Sequence, residues 1–455
     1  MTGVTLSRWT MSYFAAALIS LIGAQTLMAF GYGYPVASIR APETLVLVHA
    51  IAIGWLSLLM LGALFQFVPV LTARPLYSGF LPLPALNCLI IGLGVLLLGF
   101  LQIGGEIDLP FAFLPVAAVL LSVGFGLALW NLGRTLWQAR PLPLPARFVV
   151  VGLFGVVATV ALGAVFALAL GGATTSPHLL DVAAHGLPLH VIAGLGGWLT
   201  FTAMGVSYRL LAMFMLAPEL DGPSTRFTFY AGTAALTAAI LGGVAAICAG
   251  QEIKYVLGLA ALLGLAALAL YGRDILHIYG ARKRQVIELN SRIAALALGS
   301  LAAAVVLTAI LVGLDALEEH VGALVFLISL GWLSGLGLGK LYKITAFLTW
   351  LECYGPVLGK MATPRVQDLV VEPRAIKWFR LYFIGVWVAT ASLLAGFPFV
   401  FRVAAAAMLA STVGIVIELV RIRVLADVKP ALRLSNCVHR PALFFCLNTP
   451  ERRLS

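Results

Sequence analysis

Residues 49–69 read HAIAIGWLSLLMLGALFQFVP, an uncharged apolar run with one histidine at its start. A run of this length satisfies its backbone hydrogen bonds within a helix and crosses a bilayer, which takes roughly 20 apolar residues. The histidine is the anomaly, because the 455-residue chain contains only seven. The stretch also recurs. "GWLTFTAMGVSYRLLA" begins at Gly197 and "GWLSGLGLGKLYKITA" at Gly331, both aligning without a gap to "GWLSLLMLGALFQFVP" from Gly54. Each copy holds Gly-Trp-Leu-Ser/Thr, then a glycine seven residues after the tryptophan (Gly62, Gly205, Gly339). An aromatic follows (Phe65, Tyr208, Tyr342), and directly after it Gln66, Arg209 or Lys343. The tryptophans are Trp55, Trp198 and Trp332, 143 and then 134 residues apart, a near-constant period that marks an internal repeat. Tryptophan occurs nine times in all, so a match of four residue classes in one register is not the low-complexity coincidence that Gly, Leu and Ala alone would allow. The small residues let neighbouring helices approach closely. The aromatic and its polar neighbour sit where the helix leaves the membrane.

Working outward, apolar runs separated by Pro, Gly and charge give twelve candidate spans. They cover 11–33, 44–71, 83–103, 110–133, 148–171, 186–214, 227–250, 254–272, 291–314, 321–351, 378–397 and 400–420. The composition agrees: 62% hydrophobic, 10% charged, mean hydropathy +1.04, where soluble domains carry about 25% charge. The expected class is an all-α polytopic membrane protein. The repeat falls in the second helix of each of three successive four-helix units, approximately 1–140, 141–280 and 281–424. That implies twelve transmembrane helices in three pseudo-threefold-related arcs, with a basic tail at 425–455. Placing the N-terminus inside leaves only Arg40, Lys254 and Arg402 of the 29 basic residues outside, so both termini are expected in the cytoplasm. The implied location is the inner (cytoplasmic) membrane.

The same features exclude several functions. A net charge of +11 on such a chain belongs to basic inner loops facing anionic lipid, not to nucleic acid. The first apolar run, from Met11 to Tyr32, is followed by no Ala-x-Ala site, so no cleaved signal is expected. The five cysteines form no Cys-x-x-Cys pair and indicate neither a disulfide framework nor a zinc site. No P-loop, dinucleotide fingerprint or Ser-His-Asp arrangement occurs, and no catalytic residue is assigned. Gln25, Asn87, Thr200 and Thr202 are expected to bond across helices. Glu418, three residues before Arg421, is expected to form a local ion pair.

With twelve helices in three arcs and a histidine near the outer end of the second, the chain resembles the haem-copper oxidase catalytic subunit (subunit I) superfamily. In helix two it is nearest to the nitric oxide reductase branch, through His49, Gly62-Ala63, Phe65 and Val68-Pro69. The resemblance implies a low-spin haem ligand at His49 and a fold whose metal ligands come from helices two, six, seven and ten near the outer face. The departures are equally specific. The tenth span has no histidine, His320 only preceding it, and the seventh has none. The resemblance therefore implies a degenerate member, not a complete oxidase.

The assigned orientation puts five histidines at outer helix ends or loops: His49, His178, His185, His190 and His320. His277 and His439 fall inside. His49 lies six residues before its repeat tryptophan, and so about 9 Å above it. His190 lies eight before Trp198, at nearly the same depth, whereas His185 and His320 lie about two turns further out. His49 and His190 are the candidate cofactor ligands, and His49, His190, His185 and His320 the candidate metal ligands, since neutral imidazole ligates both haem iron and copper. The structural alternative is a packed histidine bonded to a backbone carbonyl at His49 and His190, and a solvated interfacial residue at His185 and His320. A haem- or copper-binding protein would serve electron transfer, gas sensing or cofactor handling, with respiratory-chain subunits or a periplasmic redox protein as partner. Two further readings remain open: a twelve-helix transporter, and a cofactor-free assembly partner of a respiratory complex.

Overall fold

The computed structural model describes residues 2–433, with side chains from residue 9 onward. Among these residues eleven helices are long and apolar enough to cross a membrane. They are α1 (Thr2–Phe30), α2 (Pro42–Thr72), α3 (Pro82–Ile103), α4 (Phe113–Gln138), α5 (Leu144–Leu170), α6 (Leu187–Met215), α7 (Pro223–Cys248), α8 (Lys254–Gly280), α9 (Leu289–Gly313), α10 (Leu317–Val357) and, after a further helix, α12 (Pro398–Arg423). The further helix, α11 (Glu372–Leu394), opens with Glu372, Arg374, Lys377 and Arg380, a polar face that sets it apart from the others. It falls where the span 378–397 is expected. The spans read from sequence match these helices, with ends shifted by up to about two turns. Several helices start on proline, whose missing N–H is unneeded in a first turn: Pro42, Pro82, Pro223 and Pro398.

The central position of α2, α6 and α10 shows in their burial. Of the most apolar window of each, 67%, 61% and 67% is buried, against 17% for α8. Around them α1, α5 and α9 pack against α2, α6 and α10 respectively, and α3–α4, α7–α8 and α11–α12 pack as hairpins. Neighbouring groups join through α4 against α5 and α12 against α1, while α8 and α9 share no comparable packing. The largest fully buried side chains include Trp55, Trp332, Tyr13, Phe65 and Phe148, so the core runs along the central helices. Large apolar side chains remain exposed on outer faces, such as Phe154 and Leu262, as a lipid-facing surface requires.

The N-terminal end of α11 and the C-terminal end of α12 are tied by charge. Arg374 donates to both oxygens of buried Glu418 (2.5 and 2.7 Å) and to Asp427, which also receives Arg421 at 2.7 Å. The local Glu418–Arg421 pair expected from helical spacing is thus replaced. The arginine of α11 reaches Glu418 in a fork that an i,i+3 neighbour does not offer. Of the basic tail, residues to 433 are described, and Tyr354 bonds the Leu432 carbonyl there. Cys437, His439 and Cys446 lie outside the described residues.

Candidate axial site

All three repeat segments depart from α-helical geometry at the same place. Ala50–Ser57, Ile192–Phe201 and Leu327–Ser334 are π-helical, and each contains the Gly-Trp-Leu-Ser/Thr motif. Inserting a residue into a helix widens the turn and re-aims side chains, and such segments cluster at functional sites. A shorter π segment, Ala238–Gly242, interrupts α7. In two of the motifs the hydroxyl follows the wider register. Ser57 and Ser334 each donate to the carbonyl five residues earlier, Ala52 and Ser329, at 2.7 Å.

The indoles then close a ring around the axis. Trp55 Nε1 donates to Ser334 Oγ (2.7 Å), Trp332 Nε1 to Thr200 Oγ1 (3.3 Å), and Trp198 Nε1 to Ser57 Oγ (3.0 Å). Each tryptophan finds the hydroxyl two residues after another repeat's tryptophan. Thr200 therefore bonds across helices as expected. Asn87 instead points outward, and neither the amide of Gln25 nor the hydroxyl of Thr202 has a hydrogen-bond partner. Ser334→Ala should cost about 1 kcal/mol, because it orphans a buried indole N–H in an apolar interior. Ser300→Ala, whose hydroxyl bonds its own helix, should cost less. Unfolding in detergent measures both.

The repeat glycines make equivalent contacts. A Cβ at Gly62 would lie 2.7 Å from Tyr13 Cβ, at Gly205 2.3 Å from Phe148 Cβ, and at Gly339 2.6 Å from Ile293 Cγ2. The glycines before the tryptophans, Gly54, Gly197 and Gly331, face Ser20, Gly155 and Ser300. On α1, α5 and α9 the two partners stand seven residues apart each time. The outer-helix half of the pattern was invisible in sequence because Tyr13, Phe148 and Ile293 share no identity.

Outward of the ring, His49 closes the first segment of α2 and His190 precedes the π segment of α6. His49 Nδ1 bonds the Leu45 carbonyl at 2.8 Å. A carbonyl only accepts, so Nδ1 carries the proton and the neutral ring presents an Nε2 lone pair. Its ring packs on Phe100 of α3 at 5.0 Å. His190 lies against Phe166 of α5 at 5.4 Å, over Gly163, where a Cβ would stand 3.2 Å from its Cε1. Its Nδ1 is buried with no hydrogen-bond partner.

The other candidates are elsewhere. His185 ends a short helix, Pro177–His185, exposed, with Nδ1 bonded to the Asp181 carbonyl at 3.1 Å. His320 is half-buried in the first turn of α10, and His178 and His277 are exposed. Among the described residues no group of three or more His, Cys, Asp or Glu could hold a metal ion.

Sequence reasoning missed three buried charged residues, Lys340, Asp274 and Arg423. Lys340 of α10 is 8% exposed, and Asp274 of α8, 6% exposed, accepts from Tyr208 (2.9 Å) and Thr225 (3.2 Å). For Asp274 the signal was the polar break in an apolar helix end.

No known protein-family profile matches the sequence, and no curated relative matches it. A solved structure does: a heme-copper terminal oxidase, determined as a dimer by cryo-EM, superposes with a TM-score of 0.60 over 98% of this chain and 86% of that one, at 12% identity. The chain has the fold of a heme-copper terminal oxidase. At this identity the likeness concerns architecture alone.

The donor set can be tested against the cofactors of that fold. A copper ion held by protein alone takes three or more donors, and the described residues offer no such group. Haem iron needs only one or two, because the macrocycle supplies four nitrogens. Two imidazoles, one oriented by a backbone carbonyl and one with an orphaned ring nitrogen, would suit haem iron as ligands. The residues present therefore fit haem and fall short for copper alone.

Proposed function

We propose that this is a haem-binding protein of the inner membrane, with the oxidase architecture but without its oxygen-reducing centre. In this reading twelve helices cross the bilayer as three four-helix arcs with both termini inside. The closed Trp55–Ser334, Trp332–Thr200 and Trp198–Ser57 ring supports threefold order, and the distribution of basic residues supports the orientation. His49 would ligate the iron through Nε2 near the outer face, and His190 is the second candidate ligand. The observation that carries the reading is the His49 Nδ1 bond to Leu45 beside a buried, unpartnered His190 Nδ1. A bound haem would supply one-electron or gas-ligand chemistry. The chain's own part is to fix the His49 tautomer, pack Phe100 and Phe166 against the imidazoles, and exclude water. Electron transfer with respiratory-chain subunits or an outer redox protein, gas sensing and cofactor handling are the roles this site would serve.

The test is an optical spectrum with metal analysis of protein purified in detergent from haem-replete cells. A Soret band with sharp reduced-state bands, lost in His49→Ala and shifted in His190→Ala, is expected. A featureless spectrum overturns the reading. It would leave the cofactor-free assembly partner, of which co-purification with oxidase subunits would be the mark.

A further inference from the structure

Inward of the tryptophan ring the three central helices part around a cavity of ≈ 80 Å³. Its walls are apolar, with Leu59, Met60 and Phe67 from α2, Leu210 from α6 and Ile344 from α10, and Ser207 and Lys340 are its polar lining residues. Lys340 Nζ is buried and has no hydrogen-bond partner. Its nearest favourable neighbour is the ring of Phe214, 5.2 Å away. The titratable groups that act on it are Glu288 and Lys343. Glu288 is already committed: Lys343 lies 2.8 Å from it, Arg284 pairs with it, and Asn290 donates at 3.0 Å. An ammonium in an apolar interior without a counterion is costly, so the site calls for one.

We propose that the axial cavity binds a short-chain monocarboxylate, the carboxylate on Lys340 and the alkyl tail among the leucines, Met60 and Phe67. The charge requires an anion, and the wall chemistry requires an apolar body. The volume, room for about five to eight waters, limits that body to about four to six carbons. This assignment is independent of haem at the outer histidines, because the site lies on the other side of the ring.

The experiment is equilibrium binding of labelled hexanoate to the full chain in nanodiscs, alongside the uncharged isostere hexanamide. Saturable hexanoate binding is expected, at least tenfold weaker in Lys340→Met and at least tenfold tighter than hexanamide in the unaltered protein. Lys340→Met keeps length and removes a buried charge, so it should fold and melt no lower. Ala203→Phe, which fills the cavity without touching the amine, should abolish binding as well. Equal binding in Lys340→Met, equal binding of hexanamide, or no saturable binding overturns the proposal. Displacement by oleate would assign the natural acid to the bilayer, and persistence in its presence to the aqueous phase; either supports a carboxylate site.

Discussion

Gly155→Ala should keep the protein from accumulating in folded form. Gly155, on α5, faces the π segment of α6, and a Cβ there would lie 2.6 Å from the Trp198 nitrogen, 2.8 Å from the Gly197 carbonyl carbon and 3.2 Å from the Ala193 oxygen. All three are backbone atoms of one helix, so no side chain can rotate away. The two helices must separate, which pulls Trp198 from Ser57 and opens the ring. Overpacking a core costs about 1–3 kcal/mol when side chains can adjust. With backbone on both sides the cost should exceed about 3 kcal/mol, a large share of a typical stability of about 5–15 kcal/mol. Gly126→Ala and Gly94→Ala, with nothing within 4 Å, should change stability by less than about 0.5 kcal/mol. Yield of monodisperse protein and its melting temperature decide the matter. A Gly155→Ala protein that melts like the parent would show that α5 and α6 are not in contact here.

Arg374→Met should be the next most damaging change. Its guanidinium is shared between Glu418, at 2.5 and 2.7 Å, and Asp427, at 2.6 and 3.2 Å. Glu418 is 4% exposed, so removing the arginine strands a carboxylate where water does not reach. Breaking a buried pair costs about 3–5 kcal/mol. Arg374 is itself about a third exposed, so about 2–3 kcal/mol is the expected loss. Arg374→Lys should recover less than half, because an ammonium cannot serve two carboxylates as a fork does. The hydrogen bonds from Arg374 and Arg421 hold the Asp427 carboxyl down at about 2, from an ordinary 3.8. A carboxylate so depressed contributes stability that is complete above its unfolded value and is lost as pH falls through the folded one. The gap in melting temperature between the parent and Asp427→Asn should therefore be full at pH 6 and shrink between about pH 4 and 2. A gap that stays constant over that range would exclude the ion pair as its source. At the base of α9, burial raises the Glu288 carboxyl, but Lys343 and Arg284 outweigh it and leave the group below its ordinary value. It adds to the same acid-side loss.

The central helices were legible because three copies of one motif, at positions fixed by Trp55, Trp198 and Trp332, mark a shared environment. The π turns were not. Nothing in the composition of IAGLGGWLTF distinguishes a widened turn from an α-helical one, and the wider register appears only once each hydroxyl has an indole to receive. Glu418 shows the second limit. Helical spacing offered Arg421, but the partner comes from Arg374, 44 residues away, and a fork across helices outcompetes a neighbour on one helix. His49 and His190 were matched in depth from their distances to the tryptophans, and both precede the π segment of their helix. Lys340 went unnoticed because a lysine near an inner helix end reads as snorkelling. Lys343, three residues on, does lie beside its carboxylate near the surface, while Lys340 turns to the axis.

The closed ring of three indoles has a consequence for traffic. Trp55, Trp198 and Trp332 are at most 2% exposed, and every N–H is taken by a hydroxyl of another repeat. The ring acts as a gasket across the middle of the molecule. It lies between the imidazoles of His49 and His190 on one side and the cavity that holds the Lys340 amine on the other. A ligand that entered the Lys340 cavity past the histidines would have to part three indole–hydroxyl bonds.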